Sequence, residues 1–399
     1  MKNKSFWKGF AVAVVLALVI PTLCKGAVVG GYLSGGMLPF GMNLTADTKQ
    51  TLIENLLEKY YVDGADKDAI EEGLYSGMTA GVGDVYTRYM PASSLVEYQD
   101  DLAGHFAGIG IYLYQDLNDS LVVSGVIPGQ AAERAGLLPD DIFVSVDGQD
   151  VTGMTSTELV RLVKGEIGED VTIVVYRPSA NKNISYTITR EDVTVFSVAG
   201  EMIDETTGYM QISEFKKNTY EQFMDVFKTL QDEGMERMVL DLRGNPGGLV
   251  NIVCQIGDEL LPKGTMVYTE DKNGNRKDAV CDDSYSDIPL VLLVNGGSAS
   301  SSEILAGAMK DTERAKLVGT QTYGKGIVQR LFYLPDGSGL SITVEKYYTP
   351  NGISIHGVGI APDYEVELPE YNEETPEAFT DTQLEKALSL LGTNMDMGK

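Results

Sequence analysis

The chain has 399 residues, 43% of them hydrophobic and 22% charged, the balance of a globular protein with room for two or three domains rather than of a disordered chain. Its formal net charge of −27 opposes phosphate-rich surfaces, so neither nucleic acid nor anionic lipid is expected as a partner of the folded body. With only two histidines, His105 and His356, and no Cys-x-x-Cys or His-Glu-x-x-His spacing, no metal site is expected and no cofactor is implied.

Residues 1–26 differ from the rest. Lys2, Lys4 and Lys8 precede an apolar run from Gly9 to Cys24 that stops at Lys25, the pattern of an export signal whose basic end stays in the cytoplasm. The run is short for a ~20-residue span, but Gly26–Leu33 can extend it. We read it as an uncleaved membrane anchor holding the body on the extracytoplasmic side; cleavage would make the protein secreted. Cys254 and Cys281 are the only cysteines beyond it. An oxidising compartment would allow a disulfide, though two partly buried free thiols are the simpler expectation.

The next region, 45–103, reads as a small helical unit. Leu52, Ile53, Leu56, Leu57 and Tyr60 recur at helical spacing behind Asp47 and Thr48 as an N-cap, and Asp68–Met78 repeats the pattern. From 104 to 190 the predicted order is strand (Ile109–Leu113), strand (Leu121–Ile127), a Pro128-Gly129 turn, a short helix at Ala131–Gly136, a strand ending in Asp147-Gly148, a helix from Ser156 to Lys164 and a strand at Val171–Tyr176. That order resembles a PDZ domain. Such domains take a peptide C-terminus as an added strand and hold its carboxylate on a glycine-containing loop, which here is Gly108-Ile109-Gly110-Ile111.

Residues 191–364 alternate strands and helices: Tyr209–Ile212, Thr219–Asp232, Met238–Leu242, Leu249–Leu261, Leu290–Val294 and Ser302–Lys310. Alternation of this kind predicts an α/β core with a parallel-rich sheet. In the last region, 365–399, acidic Pro369–Thr380 reads as a solvated linker. A helix from Asp381 to Leu391 carries Leu384, Ala387, Leu388 and Leu391 on one face.

The chemistry concentrates in three loops. Asn295–Ile304 holds Ser298, Ser300, Ser301 and Ser302 where a buried strand turns into a helix, the place where N–H groups and the helix dipole favour developing negative charge. With histidine almost absent, Lys325 between Gly324 and Gly326 is the candidate base, provided burial keeps it neutral. Gln329, four residues on, can hydrogen-bond the amine or the serine. Gly244-Asn245-Pro246-Gly247-Gly248 lacks the Lys-Ser/Thr of a phosphate loop and is read as half of an oxyanion hole, with Gly247 as one backbone donor and Ser301 as the other. Ser300 and Glu303 also fit a capping box, which needs no catalysis at all. Neither histidine has a recognisable triad context.

Four motifs in this order, Gly208–Phe215, Asp241–Gly248, Ser298–Ala308 and Gly324–Gln329, resemble the carboxyl-terminal processing (tail-specific) protease family, and the similarity runs from about residue 47 to the C-terminus. The resemblance selects Ser300, the middle serine of Ser-x-Ser-x-Ser, as nucleophile, and completes the set with Lys325 and Gln329. It implies that the helical unit supports a homodimer and that substrates are protein or peptide C-terminal tails. Two positions depart from the family: Val85 stands where Pro commonly follows Gly-Asp, and Lys164 where Arg-Gly is common. The expected function is a serine endopeptidase acting on exported proteins; a catalytically silent, surface-tethered PDZ scaffold is the alternative.

Overall fold

The computed structural model describes residues 43–369 and 380–392. The expected anchor at 1–26 and nearly all of the acidic linker lie outside them. Among the described residues no helix is long and apolar enough to cross a membrane. The chain divides into two units, the first ending at Tyr89 and the second beginning at Met90.

The first unit contains α1 (Ala46–Tyr60) and α2 (Lys67–Ala80). The cap of α1 is Thr45, whose Oγ1 accepts from the Thr48 N–H, so the helix starts earlier than Asp47 suggested. Asp66 caps α2 through the N–H groups of Asp68 and Ala69. Leu52 is the one buried residue of α1, and α2 has none. Strand β1 (Arg88–Met90) spans the division, which falls inside the expected 45–103 unit and leaves α3 (Ala92–Ala103) in the second unit.

A two-stranded ribbon, β2 (His105–Gly108) with β9 (Glu191–Thr194), brackets the domain expected at 104–190. Inside it, β3 (Ile111–Gln115), β4 (Leu121–Val126), β5 (Ile142–Val146), β7 (Asp170–Arg177) and β8 (Lys182–Thr189) form an antiparallel sheet in that order, with β6 (Gln149–Asp150) paired to β5. Positive φ at both Asp147 (49°) and Gly148 (80°) makes the β5–β6 hairpin turn. Helix α4 (Ala131–Ala135) ends on left-handed Gly136. Helix α5 (Ser156–Val163) opens with a complete Thr155/Glu158 capping box, and the buried Arg190 guanidinium closes it by donating to the Val163 and Leu162 carbonyls. Leu159, Val171, Ile173 and Val175 are fully buried in the core of this domain.

The remainder carries two sheets. In the first, the strand order is β10 (Val198–Met202), β11 (Thr207–Ile212), β12 (Arg237–Asp241), β15 (Leu290–Val294), β16 (Lys316–Gly319), β19 (Tyr364–Glu365). Every pairing in it is parallel except β10 with β11. Helices α6 (Thr219–Asp232), α7 (Val250–Leu260) and α8 (Ser301–Asp311) contribute to one large core with Met210, Leu240 and Leu292. On a separate apolar cluster with Val239, Leu293 and Val318 sits α9 (Thr382–Leu390), through Ala387 and Leu388, the face expected of it. The second sheet, β13 (Gly264–Asp271), β14 (Arg276–Cys281), β17 (Ile327–Tyr333) and β18 (Gly339–Tyr348), is antiparallel and was not foreseen.

Candidate active site

Strand β15 is buried along its whole length and ends at Val294. Beyond it the chain turns sharply, and Ser300 adopts φ 55°, ψ −113° before α8 begins. Such a backbone costs ~1–3 kcal/mol for a residue with a Cβ and persists only where the surroundings impose it. Those surroundings are visible. Ser298 Oγ donates to the Leu242 carbonyl, Ser301 Oγ to Gly248, and Ser302 Oγ to Asn245, each at 2.8–2.9 Å. Three of the four hydroxyls therefore fasten the turn to the 242–248 loop, and Ser300 Oγ is given to none of these carbonyls.

Glu303 is completely buried. Its Oε2 accepts from the backbone N–H of Ser300 (2.9 Å) and of Lys325 (2.8 Å), and its Oε1 from Gly324 N–H (2.7 Å) and the Thr322 hydroxyl (2.6 Å). Thr322 Oγ1 itself accepts from Ile360 N–H, which leaves its proton for Glu303. Four donors facing one carboxyl suit an acceptor-only group, which an ionised carboxylate is. The capping-box expectation is therefore met on the carboxylate side, but the same side chain also carries the lysine loop. Because both N–H groups converge on one oxygen, Ser300 and Lys325 are neighbours across the site.

Lys325 is half-buried. Its loop packs tightly on the 355–359 segment: a Cβ on Gly326 would lie 2.6 Å from His356 N and one on Gly324 3.0 Å from Gly359 N, so both positions require glycine. From β18 comes Tyr347, 2% exposed, whose hydroxyl lies 2.9 Å from the Ser300 carbonyl and 2.5 Å from that of Lys325. Gln329 lies on β17 beside a register shift, opposite Thr343, with Nε2 at 3.5 Å from Thr343 Oγ1. His105 pairs with Asp192 on the β2–β9 ribbon, and the His356 side chain is exposed.

Gly247 has φ 106°, and a Cβ there would sit 2.8 Å from both Ser300 Cβ and the Ala299 carbonyl oxygen. Glycine is thus needed for the loop to lie against Ser300. Its N–H, however, is donated to Asn245 Oδ1 at 2.9 Å, which qualifies the expectation that Gly247 is an oxyanion donor. Ser301 occupies the first position of α8, where an N–H has no intrahelical acceptor. Behind the loop, Arg243 bridges Asp241 (2.6 Å) and Asp381 (2.8 Å) and donates to Gln383 as well, while Tyr209 donates to Asp241. Burial alone would depress the Arg243 pKa; its bonds to Asp241 and Asp381 outweigh that and raise it.

Gly108, Ile109, Gly110 and Ile111 together line a groove of about 230 Å³, whose far wall is Val160 and Val163 of α5. The Ile109 side chain packs into the domain core and its carbonyl accepts from Ala132 N–H. Strand β3 stands at the sheet edge, so a row of backbone groups is open to an added strand. Lys164 lies 4.9 Å over the Phe106 ring and 3.9 Å from Asp100, contacts without the paired geometry of an arginine fork. Both thiols are free. Burial pushes Cys254 up to about 11 and Cys281 up to about 12. Among the described residues no acidic, histidine or cysteine cluster fits a metal ion.

Sequence reasoning missed the second role of Glu303 and the roles of Tyr347, Asn245 and Arg243. Arg243 and Asn245 lay inside a quoted motif and Glu303 inside the capping signal, but their partners are remote in the chain.

A strained serine at a helix N-terminus, joined through a buried carboxylate to a lysine loop in a chain that also carries a PDZ-like sheet, is the arrangement of a serine protease with a PDZ domain. The models of two families match: Peptidase family S41 over residues 206–366 and the PDZ domain over 122–177. A carboxyl-terminal-processing protease of Synechocystis sp. is 34% identical over 329 residues, covering 81% of this chain and 76% of the relative. Another, from Bartonella bacilliformis, is 33% identical over 86% of this chain and 82% of its own length. Among solved structures, a photosystem II D1 C-terminal processing protease is 31% identical, covers 86% of this chain and 91% of that one, and has a TM-score of 0.49. The chain belongs to the carboxyl-terminal processing proteases of peptidase family S41.

Proposed function

We propose that the protein is an endopeptidase of exported proteins that captures free C-termini in the groove between β3 and α5 and cleaves near those tails with Ser300 as nucleophile and Lys325 as general base. The observation that carries this reading is the Glu303 carboxylate, which binds the backbone N–H of both residues. A neutral Lys325 amine takes the proton as Ser300 Oγ attacks the substrate carbonyl, then returns it to the leaving amine, and the acyl-enzyme is hydrolysed by the same steps with water. Gln329 orients the lysine. Negative charge on the tetrahedral oxygen falls at the N-terminus of α8, where the Ser301 N–H and the macrodipole oppose it. Gly247 lets the second loop approach Ser300.

Apolar Ile111, Leu113, Val160 and Val163 along the groove favour tails with apolar side chains, and the β3 edge favours an extended backbone. The N-terminal segment anchors the protein with its body outside the cytoplasm, and the helical unit serves a homodimer. Purified protein incubated with an unstructured substrate, beside Ser300→Ala, tests the reading: intact-mass measurement should show C-terminal fragments only with the wild type. Identical inactivity of both would favour a silent scaffold.

A further inference from the structure

Tyr347 is among the largest fully buried side chains, and the mechanism above does not use it. Its hydroxyl contacts two acceptors, the carbonyl oxygens of Ser300 and Lys325. Those are the residues whose N–H groups meet on Glu303 Oε2. The two peptide segments are therefore joined twice: a carboxylate gathers their donors and a phenol gathers their acceptors. A further bond, Tyr347 N–H to the Gly326 carbonyl at 3.1 Å, fixes the tyrosine to the lysine loop.

We propose that Tyr347 is a positioning residue for the reaction, its hydroxyl setting the spacing of nucleophile and base. This rests on the assignment of Ser300 and Lys325. A phenol has one proton to offer, so the two carbonyls share it, and movement of either loop is felt by the other. Ser300 is held by this bond in a backbone conformation that serine rarely adopts. Its carbonyl also accepts from the Glu303 and Ile304 N–H groups, which belong to α8. The tyrosine bond is the one that reaches from that carbonyl to β18.

Tyr347→Phe removes the oxygen and keeps the ring. Activity is measured on an internally quenched peptide with a free apolar C-terminus, together with Ser300→Ala and Lys325→Ala. Loss of spacing should lower kcat by ~10- to 100-fold and leave KM within about two-fold, because the groove is untouched. The pH–kcat limb should also move to higher pH, since a loosened lysine gains water and its free amine becomes populated later. Tyr347→3-fluorotyrosine keeps the donor and should retain kcat within about three-fold. Wild-type kcat and an unmoved limb in Tyr347→Phe, with both alanine variants inactive, would overturn the proposal, as would a 3-fluorotyrosine variant as impaired as the phenylalanine one. Activity in Ser300→Ala or Lys325→Ala would instead remove the assignment beneath it.

Discussion

Glu303→Gln tests whether one buried carboxylate assembles the site. The substitution preserves size and replaces one acceptor oxygen by an NH2 group. If the amide nitrogen takes the Oε2 place, it faces the N–H groups of Ser300 and Lys325; if it takes the Oε1 place, it faces Gly324 N–H and the Thr322 hydroxyl. The first orientation sets two buried N–H donors against a third; the second sets one N–H against it and takes away the acceptor of the Thr322 hydroxyl. Each donor left without an acceptor costs ~1–3 kcal/mol, so the variant loses about 4 kcal/mol, divided between fold stability and geometry at the site. Two to three kcal/mol of that appearing in the transition state is about a 30- to 150-fold fall in kcat. The assay is kcat on the quenched peptide, paired with thermal unfolding to divide the loss. A variant within about three-fold of wild-type kcat and with an unchanged unfolding midpoint would refute the idea that Glu303 joins the two loops.

Four other outcomes are expected. Lys325→Arg should be as inactive as Lys325→Ala, because a guanidinium stays protonated, and wild-type kcat should rise with pH as the neutral amine becomes populated; substantial turnover by Lys325→Arg would exclude lysine as the base. Amidating the C-terminus of a groove-binding peptide should weaken its capture at least several-fold by calorimetry, and equal affinities would remove the carboxylate-binding role of the 108–111 loop. Asp381→Ala takes one carboxylate from the partly buried Arg243 and should destabilise by about 2–3 kcal/mol in denaturant unfolding, while an unaltered midpoint would mean that Asp241 suffices. With thiol pKa values pushed up to about 11 and about 12 by burial, Cys254 and Cys281 are almost wholly protonated at pH 8, so native protein should react with iodoacetamide far more slowly than unfolded protein; matched rates by mass spectrometry would contradict their burial.

The elements most legible in the sequence were those whose periodicity survives in the fold. Helix α6 and strand β15 fall on the expected residues, one because Phe223, Phe227 and Leu230 keep a helical stripe, the other because all five of its residues are buried. The antiparallel sheet escaped notice because its strands carry runs such as Arg276-Lys277-Asp278 and Glu345-Lys346 and bury few residues. Without alternation there is no period-2 signal to read. Ser300 and Lys325 stood out through local context. Glu303 showed only its local, capping half, because Gly324 and Lys325 reach it across more than twenty positions. Tyr347 gave no signal, since a tyrosine in a strand is ordinarily a packing residue.

The backbone of Ser300 also limits which chemistry this turn can ever support. At φ 55° a β-branched side chain is severely crowded, so threonine, which also carries a nucleophilic hydroxyl, is barred from the position. A cysteine fits the same angles, and a thiol there would inherit the neighbouring N–H groups and lysine without any change of loop. The turn therefore admits unbranched nucleophiles of either element and excludes branched ones, a restriction written in one dihedral angle rather than in the surrounding side chains.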